Sequence, residues 1–169
     1  HGVGLDNSIW ESQIDAFENT VLIYDILGHG RTPLNKDNVS FNDFSDQLLS
    51  LINELKIEKI HLVGFSIGSL IARNFATRFN KRLQSLTLLC SIFNRSNEQQ
   101  KIVNDRFEQT KKENILPKTS LRRWFTDEYL DKYPKISEKI GSILEKNNMA
   151  NFIKIYSLFK YSLNQILSF

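Results

Sequence analysis

The sequence predicts an α/β protein, a mostly parallel sheet flanked by helices and followed by a helical cap. Two observations carry that prediction. Between residues 21 and 91, short apolar runs alternate with stretches whose apolar residues recur every three or four positions. Strand–helix–strand alternation of this kind implies parallel strands with helices on their faces. From Arg95 onward there is no further β-branched run bounded by turns, only lysine-rich helical stretches. A chain of 169 residues is long enough for a domain with a real core.

Each element has its own justification. HGVGLDNSIWESQIDAF opens with a glycine-bearing loop and leads into a short helix presenting Trp10 and Phe17. VLIYD, residues 21–25, is short, apolar and β-branched, and reads as a strand. ILGHGRTP follows as a glycine-rich loop ended by Pro33. From Phe41, the residues Phe44, Leu48, Leu51, Ile52 and Leu55 mark one apolar helix face, with Ser40 or Asn42 as cap. Residues 59–65 read as a strand apolar on both faces, as a parallel strand between helices should be. Residues 67–79 place Ile67, Leu70, Ile71 and Phe75 at helical spacing. SLTLLCS, 85–91, is a second buried strand. Helices are expected over 97–114, 120–132, 135–147 and 149–166, punctuated by Pro117 and Pro134. The division expected is a core over 1–92 and a cap over 93–169, although ordinary outer helices of one domain would give the same pattern.

The chemically informative stretch is HLVGFSIGSL, 61–70, where Ser66 stands between Gly64 and Gly68 at the junction of strand and helix. A chain that reverses so sharply leaves little room two positions before and after its tip, and glycine supplies that room. A serine hydroxyl becomes a useful nucleophile when held exposed beside a base, with donors ready for the oxyanion. The unpaired N–H groups and positive dipole end of a helix N-terminus meet the second need. A helix-capping serine in an ordinary turn is the plainer alternative.

Composition narrows the classes. Hydrophobic residues make up 41% of the chain, and no apolar run reaches membrane-spanning length. The net charge of +3 comes from scattered residues. Lys111-Lys112 and Arg122-Arg123 are pairs rather than tracts, which argues against nucleic-acid binding. The three histidines are far apart and no Cys/His cluster exists, so no metal is expected. The single Cys90 forbids an internal disulfide framework and suits a reducing, cytoplasmic compartment. The sequence is silent on oligomeric state.

HGVGLDNSIW, YDILGHGRT and HLVGFSIGSLIA, in that order and at that spacing, resemble the signature segments of the α/β-hydrolase fold. LRRWFTDEYLDKYP is similar to the cap of enol-lactone hydrolases of the 3-oxoadipate type and related carboxylesterases. The resemblance implies a cofactor-independent serine hydrolase acting on a small-molecule ester or lactone. Ser66 matches the nucleophile. The oxyanion donors would be the backbone N–H of Ile67 and, from the His-Gly loop, that of Val3, with Gly4 as the lesser choice. Asp25 and His29 match a loop motif that shapes the floor of the site and are not expected in the triad. Trp124 and Phe125 are candidates to line the pocket, or else pack the cap itself. The same fold also hosts cofactor-free haloperoxidase or perhydrolase chemistry, acyl transfer and non-catalytic binding. A serine at position 66 argues against the dehalogenase branch, which uses aspartate there.

One departure is large. The family places its acid and then its histidine after the serine, yet no histidine follows Ser66 here. His61 precedes it by five residues, roughly 16 Å away in an extended strand. Cys90, Ser91 and Ile92 offer no carboxylate where some relatives carry the acid. The chain starts at His1 within a motif and stops at LNQILSF, so a fragment of a larger hydrolase is expected in preference to a relative that lost its base. Such a piece should lack strand partners and fold poorly. Each unsatisfied buried backbone group costs on the order of 1–3 kcal/mol, against about 5–15 for a whole domain.

Overall fold

The computed structural model describes residues 1–116 and 118–161. Pro117, the LNQILSF stretch and the last part of the helix expected over 149–166 lie outside the described residues. A 3-10 turn, Asn7–Trp10, runs into the short helix α1 (Glu11–Ile14). Asp6 caps that turn by accepting the Ser8 N–H. Helix α2 (Phe41–Glu54) follows, then strand β1 (Ile60–Phe65), helix α3 (Ile67–Phe79) and strand β2 (Leu83–Leu89). The stretch expected as the cap contains α4 (Asn97–Glu113), a 3-10 segment Lys118–Arg123, α5 (Asp127–Lys132), α6 (Pro134–Glu145) and α7 (Met149–Tyr161).

Local chemistry explains most boundaries. Ser40 opens α2, its N–H and hydroxyl both donating to Asp43 at 2.8 and 2.7 Å. Ser96 and Gln99 form the reciprocal box that starts α4, and Asn114 ends it in the left-handed region at φ 52°. The helix expected over 120–132 is broken instead. Thr126 caps a new start by accepting the Tyr129 N–H, because its hydroxyl competes with continued helix. Pro134 does not end a helix but begins α6, where its missing N–H costs nothing.

β1 and β2 pair in parallel, with Ile60 opposite Leu83 and Phe65 opposite Leu89. Helix α3 makes the crossover and packs on both strands and on α2. Phe44 of α2, Ile67 and Ile71 of α3, Ile26 from the preceding loop and Ile155 of α7 form one buried cluster. Leu48, Ile52 and Phe75 form a second, beneath the strands.

Further expectations need correction. VLIYD is not a strand. Its neighbouring backbone groups bond to side chains: Ile26 N–H donates to His1 Nε2 at 3.1 Å, and Gln47 receives the Leu27 N–H and donates to the Asp25 carbonyl. A β-branched run becomes a strand only beside another strand, and among the described residues β1 pairs with β2 alone. Nor is β1 buried on both faces, and β2, expected as a buried strand over 85–91, runs Leu83–Leu89 with no fully buried residue. Val63 is 43% exposed, because the described helices cover only the side of the sheet bearing Ile60 and Leu62. No helix among the described residues is long and apolar enough to cross a membrane.

Candidate active site

Ser66 occupies the single residue between the end of β1 and the start of α3, at φ 56° and ψ −119°. Few non-glycine residues adopt a positive φ, and this pair of angles lies outside the left-handed helical well, so the surroundings must hold it there. They do so at both backbone ends. The Ser66 N–H donates to the Leu89 carbonyl at 2.9 Å, and its carbonyl accepts from the Ser69 N–H and, at 2.5 Å, the Ser69 hydroxyl. Ser69 is fully buried.

The flanking glycines answer to two different neighbours. A Cβ on Gly64 would collide with the backbone of Gly68 and Ser69 across the reversal. A Cβ on Gly68 would lie 2.8 Å from the carbonyl oxygen of His1. Gly64 therefore permits the turn, while Gly68 permits the N-terminal loop to lie against the start of α3.

That loop is a tight turn closed by Leu5 N–H donating to the Gly2 carbonyl at 3.2 Å, with Gly4 at φ 78° in its third position. The Gly4 N–H donates to His29 Nε2 at 2.9 Å, and His29 Nδ1 donates in turn to the Leu27 carbonyl at 3.1 Å. The ring is therefore neutral, and burial lowers its pKa to about 4. Gly4 has its N–H engaged, whereas the turn's own hydrogen bond does not use the Val3 N–H. The Ile67 N–H, at the first position of α3, has no acceptor within its helix. Asp25 is buried and accepts from the N–H groups of Asn7 and Arg31 at 2.8 and 3.0 Å, tying the first loop to the glycine-rich one.

Ser66 and Val3 line a cleft of about 150 Å³ between the core and the cap. Trp124 lines it too, but Phe125 does not: its ring stacks on Tyr129 with centroids 5.4 Å apart. The chain turns out of its 3-10 segment at this point, which sends consecutive aromatic residues to different neighbours. Arg106 of α4, not singled out from the sequence, and Arg123, read there as half of a basic pair, also face the cleft, and among the described residues no aspartate or glutamate lines it. Arg123 donates to Ser120 Oγ at 2.8 Å. Partial burial, and then the charge of Arg106, lowers its pKa. Burial raises the pKa of Tyr156, which also lines the cleft, against the opposing pull of Arg106, Arg123 and Arg95.

None of the three histidines serves Ser66. His1 bonds the Gly2 carbonyl and the Ile26 N–H, His29 the groups above, and His61 the hydroxyl of Ser85 at 2.8 Å. Among the described residues no group of three or more His, Cys, Asp or Glu is arranged to hold a metal ion.

Comparison with known proteins sets this geometry in context. The profile of the alpha/beta hydrolase fold matches residues 1–135. The chain is 28% identical over 161 residues to (E)-2-((N-methylformamido)methylene)succinate hydrolase of Acinetobacter baylyi, covering 94% of this chain and 60% of that protein. It is 23% identical over 156 residues to 3-oxoadipate enol-lactonase 2 of the same organism, covering 90% and 58%. The solved enol-lactonase from Burkholderia xenovorans LB400 superposes with a TM-score of 0.82 at 22% identity, over 95% of this chain and 63% of that one. The chain thus spans about 60% of the length of these relatives.

Proposed function

Because the chain belongs to the alpha/beta hydrolase fold family, we propose that the whole protein is a serine hydrolase of carboxylic esters or lactones, and that its substrate carries a carboxylate. The observation that carries the first part is Ser66 itself. A serine held at φ 56° and ψ −119°, between glycines that abut backbone, opens on a cleft that also holds Val3. A capping serine needs none of that geometry, since a cap takes ordinary extended angles.

In the reaction, Ser66 Oγ attacks the carbonyl carbon of the substrate and gives its proton to a base. The N–H groups of Ile67 and Val3 receive the oxyanion. Collapse of the tetrahedral intermediate expels the alcohol or enol oxygen, which takes up the proton, and leaves an acyl-Ser66 ester. Water, deprotonated by the same base, then releases the acid. His1, His29 and His61 are all otherwise engaged, so none of them is the base in this reading. The lone Cys90 agrees with a reducing, cytoplasmic setting.

The second part rests on Arg106 and Arg123. Two guanidinium groups face one small cleft with no acidic residue in its lining among the described residues. Like charges brought together disfavour one another unless an anion joins them. A substrate carboxylate fits that arrangement, and two relatives are named for a substituted succinate and for oxoadipate. The direct test is a fluorophosphonate probe applied to the whole protein. It should label Ser66, and Ser66→Ala should abolish labelling and lower kcat by about three orders of magnitude or more. Turnover surviving in Ser66→Ala would remove the assignment.

A further inference from the structure

We propose that Asn147, just past the C-terminal end of α6, is a positioning residue for the oxyanion donor at Val3, so that the seating of the cap on the first loop sets the rate of the chemical step. This rests on the hydrolase reading above and adds to it a residue outside the cleft.

Gly4 is gripped on both sides. Its N–H donates to His29 Nε2 at 2.9 Å, and its carbonyl accepts from Asn147 Nδ2 at 2.8 Å. One grip comes from the core and the other from the cap. The same amide also reaches the carbonyls of Ile143 and Leu144 in the last turn of α6, at 3.0 and 3.2 Å. Asn147 therefore joins the end of a cap helix to the turn that carries Val3. Gly4 also lies beneath the cap: a Cβ there would meet Phe152, Leu116 and Leu144 at 3.1–3.4 Å.

The position matters because Gly4 sits at φ 78° with no side chain to restrict it. Its angles are set by what holds its two peptide groups: His29 holds the Val3–Gly4 peptide and Asn147 the Gly4–Leu5 peptide, so Asn147 acts on Val3 through the angles of Gly4. An oxyanion donor works only when it points at the developing charge from about 2.7–3.1 Å, and a displacement near 1 Å can cost about a hundredfold in rate. Asn147 itself does not line the cleft, so its loss leaves ground-state binding untouched.

The test compares three variants of the whole protein on one chromogenic ester. Asn147→Ala should lower kcat about tenfold with KM within about twofold, the pattern of a lost transition-state interaction. Asn147→Asp keeps the size but sets a carboxylate against the Gly4 carbonyl, and should lose at least as much. Lys139→Ala removes a different tie from α6 to the first segment, to the Ser8 carbonyl and Glu11, and should leave kcat unchanged. The amide resonance of Gly4 in 15N-labelled protein should shift or broaden in both Asn147 variants and stay in place in Lys139→Ala. Urea midpoints for all three separate loss of folding from loss of rate. Wild-type kcat in Asn147→Ala, an unmoved Gly4 resonance, or an equal loss in Lys139→Ala would overturn the proposal. Ser66→Ala, run alongside, keeps the readings apart. Activity surviving there defeats the hydrolase assignment, whereas a dead Ser66→Ala beside a normal Asn147→Ala defeats only the role of Asn147.

Discussion

A proton on His29 competes directly with the Gly4 N–H for one ring nitrogen, and burial decides which wins. The ring titrates at about 4 in the folded chain, against an ordinary value of 6.5. Between those two values the unfolded chain binds a proton that the folded chain refuses. Stability from this residue is therefore intact above pH 6.5 and is lost as the pH falls toward 4. His29→Gln should be less stable than the parent at pH 7 and should show a shallower fall in urea midpoint between pH 6.5 and 4. Parallel curves for the two would show that other groups govern the acid limb. The elbow gives a second prediction at this scale. Gly68→Ala should cost about 1–3 kcal/mol as the His1 backbone is pushed back. Gly64→Ala should cost more than about 3 kcal/mol, since rigid backbone on both sides must move. Equal urea midpoints for both variants and the parent would mean that the reversal at Ser66 is looser than described.

Among the elements, α4 and the 3-10 segment Lys118–Arg123 matter for what they bring together from 17 residues apart in sequence. Replacing Arg123 with Ala should raise KM about tenfold for an ester bearing a carboxylate and leave KM for its neutral methyl ester nearly unchanged. Equal effects on both substrates would mean that Arg123 packs the cleft and does not read charge. The sequence made some elements plain and hid others for physical reasons. α2, α3, β1 and β2 were legible because their apolar periods are set within the segment, and the turn at Ser66 because glycines stand two positions to either side of it. VLIYD was misread because a strand depends on a neighbour, which no local pattern reports. Trp124 and Phe125 could not be separated, since the exit from a 3-10 segment decides which of two adjacent rings faces the cleft. The grips on Gly4 come from positions 25 and 143 residues away, and no local signal announces either.

At the scale of the molecule, cap and core are not independent bodies, because Ile155 of α7 completes the cluster of Ile26, Phe44, Ile67 and Ile71. Ile155→Ala should cost about 2–5 kcal/mol and lower a single unfolding transition as a whole. A separate early transition, seen in near-UV circular dichroism while later signals keep their midpoint, would show instead that the cap melts alone. The fit is close at one more point: a Cβ on Gly28 would come within 2.7 Å of Ile155 Cδ1. Seen as a matter of inheritance, this shared cluster limits how such chains can recombine. A crossover placed after β2 would import a foreign α7 against resident partners at positions 26, 28, 44, 67 and 71. On the proposed function, substrate range can drift through substitutions at positions such as 106, 123 and 124, which line the cleft outside the cluster. A library of cap exchanges should therefore yield folded chimeras chiefly where the donor keeps a branched aliphatic residue at position 155.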